Sequence, residues 1–482
     1  MDHPPDITGL PATRLAADIR AGRLRSVDVV SAFLDRIARH DHRVRAVADL
    51  DPAGALRQAE AADRAVADGL PLGPLHGVPM TIKDGFRVAG SRSSFGLPHL
   101  KLYRPSADCE VIARLRRAGA VILGRTAVPF ACFDWQCRPP LARECVNPLD
   151  PARTPGGSSG GAAAALAARF TPLELGTDVA GSIRYPAHCC GVFGLRTTVG
   201  LVPAADIGPP PGKPLFPSVL SVGPMARSVG DLGLLLSALL PDRDDREATP
   251  SVGGRLRVAV TPSVEGAVPD TASAAALAGF AGRLADAGHE VAVLDRPPFD
   301  FEEGYAVWGL VAGFEMRQQF PAPLRNGLAM RAFAAWFLNY RLGGGPLTTH
   351  FRRGLLASEA EYREGLARRD ELVRAVDAFL SRYDLWVLPV SPGVAIRRQR
   401  PGRPIRTTTS LVPYSRFLGQ YLCPTAAVGT PALVVPAGLG EGGLPVGVQV
   451  HGPWFSDRWL VGVAGPHLAA AGVETPLPAW ER

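Results

Sequence analysis

Three positions carry residue types that could do nucleophilic chemistry together: Lys83 in GVPMTIKD, Ser158 in TPGGSSGG and Ser182 in GTDVAGS. A serine hydroxyl at neutral pH is a poor nucleophile and needs a base. A lysine can serve once burial lowers its pKa enough to leave it uncharged. Lys83 is conspicuous here, because of 52 basic residues only Lys83, Lys101 and Lys213 are lysine. The rest are arginine, a side chain that does not give up its proton in a protein. A second serine, Ser158, can pass the proton between base and nucleophile. Ala180 and Gly181 are small enough to let backbone N–H groups turn toward a substrate carbonyl beside Ser182, forming an oxyanion hole.

Two other readings of TPGGSSGG compete with this one. A phosphate-binding loop of the G-x-x-x-x-G-K-[ST] type would place lysine and a hydroxyl after Gly161, where Ala162 and Ala163 stand. Residues 156–160 also fit G-x-S-x-G, the nucleophile elbow, but that turn needs a strand before it. NPLDPARTP, a proline-interrupted loop, precedes it here. The downstream histidines His188, His289, His350, His451 and His467 offer no setting typical of a catalytic partner.

The elements that would position these residues read as α/β. HGVPMTIKD is a short buried strand ending at a polar tip, Lys83–Asp84. DCEVIARLRRAG is a helix and AVILGRT a strand. The glycine-serine stretch opens a further helix, and TPLELGTD is a strand running into the Ser182 turn. Upstream, Ser26 is expected to cap the helix VDVVSAFLDRIARH, and Ser228 with Asp231 to start VGDLGLLLSALL. Residues 206–217, DIGPPPGKPLFP, form a rigid irregular loop, and 301–340 is aromatic-rich helix. LWVLPV, PALVVPAG and LPVGVQVHG are C-terminal strands.

GVPMTIKD, RTPGGSSGG and LGTDVAGSIRYPAHCCGVFGLRTTVGLVP together closely resemble the amidase signature family of Ser-cisSer-Lys amide hydrolases. GPMARSVGDL, GTPALVVPAG and GLPVGVQVHGP match it as well. The resemblance implies a large mixed β-sheet covered on both faces by helices, forming one domain over 1–482. Within it fall N-terminal helices at about 10–70, a signature core at about 71–240, a variable substrate-facing region at about 241–350, and C-terminal strands and helices at about 351–475. It implies Ser182 as nucleophile, Ser158 as relay and Lys83 as base, with the N–H groups of Val179, Ala180, Gly181 and Ser182 as the oxyanion hole. Ser159, Asp178 and Arg184 would support the loop. The glycines would allow unusual backbone before Ser158, including a cis peptide. One departure stands out, since the family's turn usually has two glycines before the nucleophile and Ala180 replaces the first. If that position needed positive φ, alanine would cost about 1 kcal/mol.

The chemistry implied is hydrolysis of a carboxylic amide through an acyl-enzyme, which calls for no metal and no organic cofactor. An amide-forming acyltransferase, the glutaminase component of an aminoacyl-tRNA amidotransferase, and a catalytically inactive amidase-like binding protein remain as alternatives. Substrate contacts are expected from the Phe133–Arg138 stretch, with Phe133, Asp134 and Trp135, and from Tyr305, Trp308 and Phe314, whose rings suit an apolar or aromatic group. His76 and His188 read as structural, and Cys189–Cys190 as packing behind the nucleophile turn.

Composition narrows the rest. A hydrophobic share of 46% and a charged share of 20% fit a folded globular chain rather than a disordered one. The formal charge of +7 is spread thinly. Its one dense cluster, Arg397 to Arg406, is broken by proline and glycine and reads as a solvated loop, so nucleic acid is not expected. The N-terminus lacks a signal-peptide pattern and no apolar run is long enough to span a membrane. The seven cysteines form no paired spacing. The expectation is a cytoplasmic enzyme with reduced, mostly buried thiols, a small-molecule amide as partner, and a homodimer as an open assembly.

Overall fold

The computed structural model describes residues 6–140, 142–209, 215–240, 254–325, 327–407 and 410–481. The 210–214 part of the proline loop, with Lys213, lies outside the described residues. Among the described residues, the first four-fifths of the chain hold nine strands: β1 (Val47–Leu50), β2 (Pro79–Lys83), β3 (Val121–Thr126), β4 (Leu173–Asp178), β5 (Phe193–Arg196), β6 (Ser221–Ala226), β7 (Arg257–Val260), β8 (Glu290–Val293) and β9 (Leu385–Pro389). They are followed by β10 (Ile405–Arg406), β11 (Leu411–Val412), β12 (Ala432–Leu439) and β13 (Pro445–His451). Eleven of them form one sheet in the order β1-β3-β2-β4-β6-β5-β12-β13-β9-β7-β8, and β10 and β11 pair as a separate ribbon. That ribbon lies within and just after the arginine cluster read as a loop, whose arginines are exposed.

Every residue of β2, β3, β6, β9 and β13 is buried. Strands covered on both faces carry apolar runs rather than an alternating pattern, which is why PMTIK and LWVLP look continuous. Alternation survives in how they partition the core: Val434 of β12 belongs to the cluster around Trp308 and Trp386, while Leu433 and Val435 belong to the one around Ile82 and Leu235. The sheet is therefore packed on both faces, as the amidase signature architecture implies. β2 runs parallel to both β3 and β4, so the C-terminal ends of all three meet on one edge. In α/β sheets that edge is where ligand sites form.

The Gly160–Ala167 helix opened by the glycine-serine stretch is buried at every residue. GGAAAALA has no polar face because no side of it meets water. Two expectations need correction. Ser26 does not cap its helix, which runs Ser26–Val44; the Asp63 carboxylate accepts from the N–H groups of Ser26 and Val27, and the Ser26 hydroxyl donates to the Gly77 carbonyl. A carboxylate from a distant helix replaces the local cap. The aromatic stretch 301–340 is two helices, Phe301–Arg317 and Leu328–Leu342, separated by Pro321, Pro323 and a Gly327 with φ of 87°. Ser228 does cap its helix, its oxygen accepting from Asp231 N–H at 3.1 Å.

Candidate active site

β2 delivers Lys83 at its last residue, and the side chain is wholly buried. Its Nζ donates to Ser158 Oγ at 2.7 Å, to Thr177 Oγ1 at 2.8 Å and to the Thr177 carbonyl at 3.3 Å. These partners are all neutral. Burial pushes the Lys83 pKa down, against weaker opposing influences from Cys132, Asp178, Cys137 and Glu174. Ser158 sits after a cis Gly157–Ser158 peptide. Gly157 has no room for a side chain, since a Cβ there would lie 2.5 Å from the Asp134 carbonyl oxygen.

Ser182 follows β4 on a turn laced to the Ser158 segment. Ser159 N–H donates to the Ser182 carbonyl at 3.1 Å, and Ser159 Oγ to the Thr177 carbonyl at 3.4 Å. Asp178 organises the turn from beneath: Oδ1 accepts from Gly181 N–H at 2.8 Å, and Oδ2 from Ile183 N–H at 3.1 Å and Arg184 N–H at 3.3 Å. The Arg184 guanidinium bonds both oxygens of Asp178, Thr425 Oγ1, Gln449 Oε1 and the Leu422 carbonyl. Burial alone would raise the Asp178 pKa, but Arg184, Arg196 and the Gly181 N–H together hold it well below the usual carboxylate range. Thr177, Val179, Ala180 and Ser182 stay partly exposed amid buried neighbours, so solvent reaches the site there.

The oxyanion-hole expectation needs one correction. The Gly181 N–H is spent on Asp178, which removes it from the set of free donors. No hydrogen bond is recorded from the N–H groups of Val179, Ala180 and Ser182 among the described residues. Ala180 is not among the residues with positive φ; that conformation falls on Gly181, at 92°. Alanine at 180 therefore carries no left-handed strain, and glycine is needed at 181 alone, where a Cβ would also meet Leu422 Cδ1 at 2.3 Å.

Among the residues expected to touch substrate, Trp135 and Trp308 lie behind the turn. The Trp135 indole N–H donates to the Ala180 carbonyl at 2.8 Å and the Trp308 indole N–H to the Val179 carbonyl at 2.9 Å. Phe133 is half-buried against Phe337 and Phe351, with ring centroids 5.3 and 5.7 Å away. Tyr305 is corrected to the core, fully buried with its hydroxyl donating to the Ser415 carbonyl at 2.6 Å. Phe314, stacked on Tyr362, belongs to a separate small cluster. Asp134 is likewise turned inward: Tyr414 donates to its Oδ1 at 2.6 Å and Arg341 approaches Oδ2 at 3.6 Å. Burial pushes its carboxyl up to about 6.

With that geometry in place, comparison with known proteins is decisive on ancestry. The model of the amidase family matches residues 28–461. The chain belongs to the amidase signature family. Among curated relatives, a glutamyl-tRNA(Gln) amidotransferase subunit from Salinispora arenicola is 32% identical, over 98% of this chain and 99% of its own. Indoleacetamide hydrolase of Bradyrhizobium diazoefficiens is also 32% identical, over 96% of this chain and 86% of its own. Among solved structures, the peptide amidase of Stenotrophomonas maltophilia superposes with a TM-score of 0.74 at 27% identity, covering 98% and 99% of the two chains. A second structure described as an amidase gives 0.77 at 27%, covering 96% and 100%.

Within this amidase signature chain, several polar residues mark structure rather than the site. His76 bonds the Ala62 carbonyl, and His188 is buried between Gly393 and Gly447, which pushes its pKa down to about 4. All seven cysteines are unpaired, and Cys189 and Cys190 are buried. The reading from sequence missed Thr177, which supplies two of the three Lys83 contacts. Its signal was its place in GTD, at the end of a strand beside the one that carries Lys83. No helix among the described residues is long and apolar enough to cross a membrane.

Proposed function

We propose that the protein hydrolyses a carboxylic amide with Ser182 as nucleophile, Ser158 as relay and Lys83 as base. One observation carries this: Lys83 is fully buried, 2.7 Å from Ser158, among partners that carry no charge. A lysine so placed is driven toward its neutral form, the form a base requires. Lys83 Nζ accepts the Ser158 proton while Ser158 Oγ accepts that of Ser182, and Ser182 Oγ bonds to the amide carbon. The carbonyl oxygen becomes an oxyanion facing the N–H groups of Val179, Ala180 and Ser182. Ser158 hands its proton to the departing nitrogen as the C–N bond breaks, then recovers the proton held on Lys83. Water enters by the same relay and releases the carboxylate.

The turn itself presents half-buried Val179 and Ala180, and half-buried Phe133 lies two residues from Trp135, which bonds the Ala180 carbonyl. They favour an apolar or aromatic amide, a small molecule met in the cytoplasm, over the doubly charged end of glutamine. The kinship to the tRNA-dependent amidotransferases supports a second reading, a glutaminase that works with partner proteins. Assaying purified protein with phenylacetamide, indole-3-acetamide, acetamide and glutamine separates them. Turnover of the aromatic amides ahead of glutamine is the expected result. Glutamine turnover alone, with a copurifying partner protein, would replace the first reading by the second.

A further inference from the structure

A cavity of about 390 Å³ lies outside the catalytic turn, walled by segments 41–49, 84–101 and 125–143. Neither Lys83, Ser158 nor Ser182 lines it. Its lining holds five arginine and lysine side chains against three carboxylates, and neighbouring groups already engage the carboxylates. Asp49 accepts from Arg92 Nε at 2.8 Å, Asp84 from Ser94 N–H at 2.9 Å with Arg125 at 3.4 Å, and Asp41 from Ala46 N–H at 2.8 Å.

That leaves Arg45, Lys101 and Arg143 without an ion-pair partner among the described residues; Arg45 spends only its Nε, on the Glu144 carbonyl at 2.8 Å. Lys101 is one of the three lysines in a chain otherwise written with arginine. The remaining lining includes Val47, Leu97, Val128, Pro139 and Pro140, an apolar surface broad enough for a ring.

We propose that this cavity binds a small amphipathic anion, its carboxylate or phosphate head held by Arg45, Lys101 and Arg143 and its apolar body resting on the Val128 and proline side. Guanidinium and ammonium groups suit either head, and the volume suits a single ring with a short arm. The site touches the catalytic base through one peptide, since Asp84 lines the cavity and follows Lys83, and Arg125 donates to the Lys83 carbonyl at 3.0 Å. The inference does not depend on the hydrolase reading.

Titration calorimetry of the full chain with phenylphosphate, phenylacetate and neutral benzyl alcohol tests it, on wild type, K101E/R143E and R45A. Both anions are expected to bind wild type more tightly than benzyl alcohol, with affinity falling as salt rises. K101E/R143E should weaken the anions by about tenfold or more and leave benzyl alcohol unchanged. R45A should weaken them in the same direction should the double variant misfold. The tighter of the two anions identifies the head. Equal anion affinity in wild type and variants, binding abolished by covalent capping of Ser182, or no anion binding at millimolar concentration would each overturn the proposal. Loss of amidase activity in wild type with anion binding intact would sink the hydrolase reading and leave this one standing.

Discussion

The Ser182 turn and the Leu328–Leu342 helix that packs on Phe133 are neighbours held by opposite means. Around the turn, fully buried Asp178 and Arg184 and the indole N–H groups of Trp135 and Trp308 bond backbone atoms one by one. The helix is held by rings, Phe337 against Phe130 and Phe133 and Phe333 against Phe320, with one ion pair among the described residues, Arg341 to Asp134 at 3.6 Å. Its outer face leaves Trp336 68% and Leu328 84% exposed. Directional bonds in a low-dielectric interior fix atoms within tenths of an ångström, which acyl chemistry demands. Ring contacts tolerate sliding and repacking, which would suit a wall that meets the substrate of the proposed reaction. The turn should therefore govern rate and the helix selectivity.

Substitutions can break that division, and the largest effect belongs to the base. Lys83→Met keeps the buried bulk and removes the proton acceptor, so kcat should fall by about 10³-fold or more while the melting temperature holds or rises. Near-full activity would end the division at its root. Next, Trp135→Phe and Trp308→Phe delete one N–H each from the Ala180 and Val179 carbonyls; kcat should drop about 10- to 100-fold with KM little changed. A change confined to KM would make these rings substrate contacts instead. Phe133→Ala and Phe337→Ala should shift the kcat/KM ratio of phenylacetamide to acetamide by about tenfold and leave acetamide kcat nearly intact.

A separate effect, on stability rather than on rate, concerns the scaffold under the turn. Burial pushes the Glu174 carboxyl up to about 8, outweighing its bond from Thr81, so the folded chain holds this proton where the unfolded chain releases it near 4.5. Stability contributed by that proton is lost as pH rises from about 4.5 to about 8. Glu174→Gln removes the titration, and wild-type melting temperature should fall relative to the variant across that window. Parallel melting curves would place the charge elsewhere.

How much of this was legible in sequence follows the same division. Lys83 at a strand end, the Ser158 loop entering a helix and Asp178 with Arg184 are local patterns, and local patterns survive without a fold. What was missed came from distant chain segments. Asp63 replaces Ser26 as the cap, Trp135 and Trp308 face backwards onto carbonyls, and Tyr305 points to Ser415. An aromatic residue reads the same in a core as in a binding wall, and only its partner tells them apart. Ala180 worked the other way, a departure that looked costly until the positive φ fell on Gly181.

The central claim is that a neutral Lys83 activates Ser182 through Ser158. The direct measurement is the rate of Ser182 phosphonylation by a fluorophosphonate as a function of pH, with the modified peptide mapped by mass spectrometry. The account predicts a single adduct on Ser182, formed faster as pH rises and levelling off below the ordinary lysine value of 10.5 because burial lowers the Lys83 pKa. Lys83→Met should label slowly and without that inflection. An adduct on Ser158 or Ser159, or the same inflection in Lys83→Met, would contradict it.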